Sequence, residues 1–584
     1  MTQFSNMIIN SRLIKPKSPI WPYILVLTVF SVLINGYFFE SSFFGHLSID
    51  MPLVKIYQDN GSYPNDLVKA VAPYYYTISN PINAFLTKYI DTQLLFFALF
   101  FMGNFFTFLL IYYISKLLFK SEISSLLSVL LFLTSKAALG GQTTLFPDFS
   151  QRVIGFPIML LSIYLFLKNR YNLAIIANSF AFMIHGWLGF FLFLLYFFYF
   201  AVNCKKIGIF NIAKYSFLFL LFSSPLIIWK ILTPLENPIF KTPELLLKIF
   251  KVYHIWHMFP LHWPIGRWIA FSAYLAAFIV ALKHKPLNTE HHKKVLAFFY
   301  GVFFLALIGT IFSEVYPIAV VLMMHFYRAT VFLYVFGIIY LSSYLLNLLR
   351  KDHLGIKISS AGLIASVFIG SFKGIFLFLI ILLAFNLKSA IIRVSLVSSS
   401  VLGFIAGILG TFLHELPVAG YFKIGTLPLI IIISSCLFVW LISFKHLKKG
   451  HLYAAISLFV LFVLALSSFY IIGLNAIMHE YTEAVEGIYV GQPVGTLTQV
   501  EFIRNPHDPL SLTGISKFLN GPLKMLNKNV QFPLRVPSSD FEEVQVWARE
   551  NTKKGSIFIS PPYIKGFRRF SERAIVGECF DLAQ

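Results

Sequence analysis

The chain has 584 residues, of which 58% are hydrophobic and only 12% are charged. A soluble protein of this size carries roughly a quarter of its residues as charged ones, so the composition excludes an ordinary soluble globular protein. The formal net charge of +22 does not indicate nucleic acid as a partner, because the Lys and Arg residues occur in short clusters between apolar segments. That arrangement is typical of the cytoplasmic loops of membrane proteins.

The first apolar segment begins at Trp21 and follows Arg12, Lys15 and Lys17. Bulky residues follow this segment, and no small-residue cleavage site is present. We therefore predict a retained first helix instead of a signal peptide, with residues 1–20 in the cytoplasm.

Fifteen apolar segments of near-spanning length follow one another along the chain. They are residues 21–39, 93–115, 123–139, 153–167, 172–184, 187–203, 207–232, 268–282, 295–312, 330–349, 359–372, 374–387, 394–412, 427–443 and 452–474. With the N-terminus inside, every basic cluster falls on the cytoplasmic side. The pair 359–372 and 374–387 is short for two spans, and His185-Gly186 makes a tight hinge between two others. The predicted fold class is thus an all-α polytopic membrane protein with about 13–15 transmembrane helices in residues 21–474 and a long first outer loop at 40–92.

Residues 475–584 differ from the rest because they are polar and contain Pro and Gly. We predict a helix at about 540–550, a turn at 553–555 and strands at 556–560 and 574–576. This pattern indicates a small α+β domain outside the membrane, on the extracytoplasmic side. The sequence stops soon after the second strand, which is typical of a domain that is cut short.

Ionisable residues are expensive at membrane depth, so their distribution points to functional surfaces. In the predicted topology the acids, histidines and unusual arginines collect on the outer side, and the main candidates are Asp50, Asp148, Arg152, His185, His325 and Arg328. A carboxylate there could accept a proton from an acceptor hydroxyl, and Arg or His could neutralise a departing phosphate.

Each candidate also has a structural interpretation. Asp50 precedes Met51-Pro52 and could cap a helix. Asp148 and Arg152 could form an ion pair four residues apart. His185 could be a packing residue at the hinge, and Arg328 could extend to lipid headgroups.

Other polar residues on the same predicted side favour structural roles. Asp59 and Asp66 flank turn signals. His254, His257 and His262 alternate with aromatic residues, which indicates an amphipathic helix at the membrane surface in preference to a metal site.

Several motifs together resemble the GT-C superfamily of polyprenyl-phosphate-dependent glycosyltransferases, and more narrowly a group of bacterial membrane proteins with that architecture. They are Ser-Ile-Asp-Met-Pro and Ser-Tyr-Pro-Asn-Asp in the first loop, Met-Ile-His-Gly-Trp at the hinge, the Arg328 span, and Trp-Ala-Arg-Glu-Asn-Thr, Ile-Ser-Pro-Pro and Phe-Arg-Arg-Phe-Ser-Glu-Arg in the tail. The likeness extends over most of the chain, although its motifs are degenerate.

The resemblance implies roles for particular residues. Asp50 looks like the base, with Asp148 and His185 as further catalytic candidates. Arg328, His325 and Arg152 look like the groups that hold the substrate phosphate. Many superfamily members have an adjacent acidic pair in this loop, and Asp50 has no acidic neighbour. No cofactor is required by the sequence, although members of the superfamily also use a divalent metal ion, Mg or Mn.

These observations predict a cell-membrane glycosyltransferase that moves a sugar from a polyprenyl-phosphate carrier to an outer-face glycan, lipid or protein acceptor. One alternative is a transporter or flippase of a lipid-linked substrate, which would place ionisable groups near the middle of the membrane. A second alternative is a non-catalytic membrane assembly protein.

Overall fold

The structure is a computed structural model that describes residues 19–35, 47–146, 149–233, 244–253, 255–263, 265–284, 286, 288–385, 540–559 and 567–576. The helices of these ranges are numbered here in chain order. They are α1 (Trp21–Asn35), α2 (Leu47–Gln58), α3 (Leu67–Val71), α4 (Ser79–Leu86), α5 (Thr92–Phe119), α6 (Glu122–Phe132), α7 (Gln151–Leu167), α8 (Tyr171–Ile184), α9 (Gly186–Val202), α10 (Cys204–Ile207), α11 (Ile209–Leu232), α12 (Glu244–Tyr253), α13 (Ile255–Met258), α14 (Ile265–Leu282), α15 (Thr289–Thr310), α16 (Ala319–Met324), α17 (Val331–Leu349), α18 (Leu354–Ile369), α19 (Phe372–Ala384), α20 (Asp540–Asn551) and α21 (Phe567–Ser571). The two strands are β1 (Ile557–Ile559) and β2 (Ala574–Val576).

The first twelve predicted apolar segments all contain a helix, so the helical part of the fold-class prediction is confirmed for them. The hinge at His185 separates α8 from α9. Gly370, with φ +85°, ends α18, and Ser371 caps α19 by accepting a hydrogen bond from the amide of Gly374. The three predicted segments at 394–412, 427–443 and 452–474 lie outside the described residues.

The predicted segment 123–139 is wrong at its C-terminal end, because α6 stops at Phe132. The ammonium of Lys136 donates to the carbonyls of Leu131 and Thr134 at the end of this helix. The chain then folds back through glycines 140 and 141, which both have positive φ. Composition alone did not reveal this turn, since the residues before the glycines are apolar.

Helix α17 lies at the centre of the bundle. It packs against α5, α6, α14, α15 and α18, and 94% of the most apolar window of Ala319–Leu349 is buried. Helix α11 is peripheral, with only 22% of the corresponding window buried, and it exposes Phe217, Leu220 and Ile228. A run of exposed apolar side chains of this kind fits contact with lipid.

Four helical stretches of the described chain are long and apolar enough to cross a membrane: Leu94–Phe119, Ile209–Leu232, Thr289–Val315 and Ala319–Leu349. Eight further apolar helices are shorter, with 10–17 residues. The described chain is therefore nearly all-α, with several helices that could span a bilayer.

Residues 540–559 and 567–576 form the small α+β arrangement that the sequence predicts. Helix α20 and strands β1 and β2 coincide closely with the predicted elements. The strands pair in parallel, with Ile557 opposite Ala574, and α21 lies between them in the chain. Ala548, Phe567 and Ile575 form a small apolar core in this unit.

Gly189 is required where α8 and α9 pack together. A Cβ at this position would lie 2.4 Å from the backbone of Phe182, and Asn178 Nδ2 donates to the Gly189 carbonyl at 2.9 Å. We expect Gly189→Ala to destabilise the protein by about 1–3 kcal/mol through overpacking, seen as a lower unfolding temperature in detergent. Gly186→Ala is the matched control, because its Cβ would meet no atom closer than 4.0 Å; equal unfolding temperatures for the two variants would contradict the packing.

Candidate functional site

Asp50 lies in the first turn of α2 and is only 4% exposed. Its Oδ1 accepts a hydrogen bond of 3.0 Å from Nε2 of Gln151, the first residue of α7. The same Gln151 nitrogen lies 3.4 Å from Asn80 Oδ1. Helix α2 begins at Leu47, so the alternative prediction that Asp50 caps a helix starting at Met51 is wrong. The carboxylate is instead held between the first loop and the N-terminal end of α7.

The loop after α2 returns to the bundle at the hinge between α8 and α9. Thr77 Oγ1 donates to the carbonyl of Ile184 at 2.6 Å, and the amide of Ile78 donates to the carbonyl of Met183 at 3.0 Å. These bonds satisfy carbonyls at the end of α8 that lack a partner within the helix. They place the first loop next to His185.

Tyr75 lies in the electrostatic neighbourhood of the predicted carboxylate and arginines. Burial around its hydroxyl raises the pKa of Tyr75 above its ordinary value, and the nearby Asp50 carboxylate adds to the rise, whereas Arg152 and Arg328 oppose it. All three charged groups therefore lie near enough to influence the pKa of this one hydroxyl. Residues 50, 75, 152 and 328 are far apart in the sequence, and the fold brings them into one neighbourhood.

Arg328 lies in a 3-10 turn that leads into α17. Its guanidinium carbon is 3.9 Å from the centroid of the Trp187 ring, and its Nε donates to the carbonyl of Gly140 at 3.4 Å. The Gly140 backbone approaches so closely that a Cβ there would lie 2.9 Å from the Arg328 amide nitrogen. Within the described residues no carboxylate forms an ion pair with Arg328.

His325 ends α16 in a left-handed conformation, with φ and ψ both 52°. Its ring stacks on Trp187 with a centroid distance of 4.6 Å, and the His257 ring lies 5.4 Å away. His257 Nδ1 donates to the Gly140 carbonyl at 2.9 Å, since a carbonyl can only accept. A small cavity beside these rings is also lined by Ser313 and Tyr327.

Arg152, in the first turn of α7, is 9% exposed. Its Nη1 donates to Gln142 Oε1 at 3.3 Å, and its guanidinium carbon lies 4.5 Å from the Phe146 ring centroid. Asp148, its predicted ion-pair partner, lies outside the described residues. Both the structural interpretation and the catalytic one for Asp148 therefore stay predictions.

His185 adopts an extended conformation between α8 and α9, and its amide donates to the carbonyl of Ala181. Its ring meets Trp187 edge to face, with a centroid distance of 5.9 Å. Trp187 thus contacts His185, His325 and Arg328. The structure connects the three predicted residues through an aromatic ring that the sequence reasoning did not select as a site residue.

Sequence reasoning also passed over Tyr75, Gln151 and His257. The Met-Ile-His-Gly-Trp motif carried a signal for Trp187, whereas Tyr75 stands in a run of three tyrosines that gives no reason to prefer it. The amphipathic surface helix predicted around His254–His262 agrees with the structure in its exposed lysines but not in the position of His257. Helix α12 exposes Lys248 and Lys251, but the His257 ring faces the protein, and His254 lies outside the described residues.

The charged groups of this site can bind an anion. Among its described side chains, one carboxylate accompanies two guanidiniums, and aromatic rings cover part of the surface. Arg in such surroundings suits planar, bidentate recognition of phosphate. In the described ranges, no group of three or more His, Cys, Asp or Glu side chains is placed to hold a metal ion, and the expected Mg or Mn stays a prediction.

Comparison with known families gives one match, at the C-terminal end of the chain. Residues 539–584 match DUF6798, a domain of unknown function. This segment contains α20, β1, α21 and β2. No curated protein and no solved structure matches the chain.

Proposed function

We propose that this chain is an integral membrane glycosyltransferase of GT-C type, which moves a sugar from a polyprenyl-phosphate carrier to an acceptor on the outer face of the membrane. The observation that carries the proposal is a set of contacts that brings Asp50, Arg152 and Arg328 together. Asp50 Oδ1 accepts from Gln151 Nε2 at 3.0 Å, and the next residue, Arg152, donates to Gln142 Oε1 at 3.3 Å. Arg328 Nε donates at 3.4 Å to the carbonyl of Gly140, in the same turn as Gln142. A base and a phosphate-binding pair must lie close together for this reaction, because the attacking and departing oxygens are bonded to the same sugar carbon.

In the proposed reaction the acceptor hydroxyl oxygen bonds to the anomeric carbon of the sugar while the bond from that carbon to the carrier phosphate breaks. Asp50 takes the hydroxyl proton, and the phosphate leaves with the bonding electron pair. Arg328, with His325 and Arg152 nearby, stabilises the charge that develops on the phosphate. Asp148 and His185 are the further catalytic residues of this proposal.

The proposal includes a complete membrane domain of about 13–15 helices, a cytoplasmic N-terminus and an extracytoplasmic tail. The four long apolar helices and the eight shorter ones support a location in a cell membrane. The bilayer would deliver the lipid carrier within its own plane.

Lys136 and Lys294 are deeply buried. A transporter would place such ionisable groups along its substrate pathway, whereas these two lysines bind the ends of helices in the bundle. Lys136 binds carbonyls at the end of α6, and Lys294 Nζ donates to the carbonyls of Phe166 and Leu167 at the end of α7, at 2.8 and 3.3 Å. Cations at helix C-termini stabilise the helix. Both lysines thus have a structural role.

The test uses membrane vesicles that contain the full chain and a panel of polyprenyl phosphates carrying labelled hexoses or pentoses. We expect the label of one carrier to move to an acceptor while free polyprenyl phosphate accumulates in equal amount. Vesicles without the chain are the control. A carrier that reaches the opposite leaflet with its sugar still attached would contradict transfer and support a flippase.

A further inference from the structure

One carboxylate joins the first loop to the C-terminal α+β unit. The Asp66 side chain is fully buried. Its Oδ1 accepts a hydrogen bond from the amide of Val68 at 2.8 Å and so caps α3. Its Oδ2 accepts from Nε of Arg568 at 2.7 Å and from the amide of Ile575 at 3.0 Å. Asp66 is therefore more than the turn residue that the sequence predicts, because it also anchors α21 and β2.

Further contacts surround this buried pair. Tyr63 is completely buried. Its hydroxyl donates to the Arg568 carbonyl at 2.8 Å. Asn65 Nδ2 donates to the Gly555 carbonyl at 3.0 Å. Lys554 and Asp59 form an ion pair of 2.6 Å at the more exposed edge. Buried polar groups that are fully hydrogen-bonded to one another fix a single arrangement of the segments that carry them.

The loop side of this interface belongs to the same segment as Asp50. Helix α2 carries Asp50 near its start and Lys55 near its end, and Lys55 pairs with Glu572 of the C-terminal unit. Helix α21 also packs against α2. Thr77 and Ile78 attach one part of the loop to the end of α8. The C-terminal unit attaches the preceding part, through Lys55 of α2 and Asp66 before α3.

We infer that residues 540–559 and 567–576 act as a clamp on the first loop and that Arg568 is a positioning residue, which holds α2 and α3 in place through Asp66. The inference has a topological consequence. Atoms within 3 Å of one another cannot lie on opposite sides of a hydrocarbon layer about 30 Å thick, so the first loop and the C-terminal unit share one compartment. This holds whether or not the chain is a glycosyltransferase.

The first test is cross-linking of Asp59→Cys with Lys554→Cys in the full chain, in a background where Cys204, Cys436 and Cys579 are replaced by Ser. A short thiol cross-linker should join the two positions in intact membranes. Each single-cysteine variant is a control. Labelling of the same single cysteines with a membrane-impermeant thiol reagent should succeed from the same side; labelling from opposite sides would overturn the clamp.

The second test examines Arg568 itself in the cross-linking background. Loss of one partner of a buried ion pair is strongly unfavourable, so we expect Arg568→Met to lower the cross-linking yield at least about tenfold. Glu550→Gln is the control, since Glu550 is exposed in the same unit and pairs there with Arg549, away from the first loop. Equal yields for the two variants would reject Arg568 as the positioning residue. The labelling experiment with the single-cysteine variants keeps the Asp66–Arg568 pair intact. It therefore shows whether the two positions share a compartment even if the Arg568→Met protein does not accumulate.

Discussion

Asp50→Asn is expected to lower the rate of sugar transfer by at least about 100-fold, the lower end of what a general base contributes. Asparagine has the same shape as aspartate, and its amide oxygen can still accept the hydrogen bond from Gln151 Nε2. The substitution therefore removes basicity and negative charge with little change in packing. The measurement is the initial rate of label transfer in vesicles, divided by the amount of folded protein.

Asp91→Asn is the control for this experiment. Asp91 also belongs to the predicted first loop, but it is exposed, and its Oδ1 accepts from the amide of Leu94 at the start of α5. Asparagine caps helices about as well as aspartate, so the transfer rate should stay within about twofold of the wild type. A normal rate in Asp50→Asn would remove Asp50 from the catalytic role and leave it as a structural acceptor for Gln151.

The positions of the helices could be predicted because each helix leaves a continuous local signal. Long apolar segments define α5, α11 and α15. The predicted break after residue 372 lies within three residues of the observed end of α18 at Ile369. The end of α6 was harder, because its termination depends on the Lys136 side chain folding back onto carbonyls of its own turn. A sliding measure of hydrophobicity does not register such a contact.

The site could be predicted only in part. Arg152 and Arg328 stand out as ionisable residues next to apolar segments, and Asp50 stands out as an acid before Met51-Pro52 in the first loop. Both are local properties. Tyr75 and Trp187 become relevant only through the packing of the first loop on the α8–α9 hinge and of α9 on the turn before α17. Trp187 has one local signal, the Met-Ile-His-Gly-Trp motif, whereas Tyr75 stands in a run of three tyrosines that gives no reason to prefer it.

The contact between the first loop and the C-terminal unit was also predictable only in part. The helix and strands of the C-terminal unit were predictable from turns and capping, and Asp66 was recognisable as a turn residue. The ion pair between Asp66 and Arg568 joins positions 502 residues apart. Arg568 is one of 47 Lys and Arg residues in the chain, and its sequence context does not identify it as the partner of Asp66. A long-range pair of this kind follows only from the three-dimensional structure.

Arg328→Met is expected to lower kcat/KM for the lipid-linked donor by about 100-fold to 1000-fold, the usual effect of removing one donor to a developing oxyanion. Methionine preserves most of the apolar contact with Trp187 but has no charge and no N–H group for the phosphate. Arg328→Lys should retain part of the activity, because lysine supplies the charge without the planar fork that stacks on an indole ring. The order of kcat/KM should therefore be wild type, then Lys, then Met.

Lys88→Met is the control for a general loss of positive charge, since Lys88 is exposed on the first loop. Its kcat/KM should be close to that of the wild type. The competing interpretation is that Arg328 serves only the bundle, through the Gly140 carbonyl and the Trp187 ring, or extends to lipid headgroups. In that case Arg328→Met would lower the unfolding temperature or the yield, but each folded molecule would still transfer sugar at the normal rate. That result would reject the phosphate-binding role of Arg328.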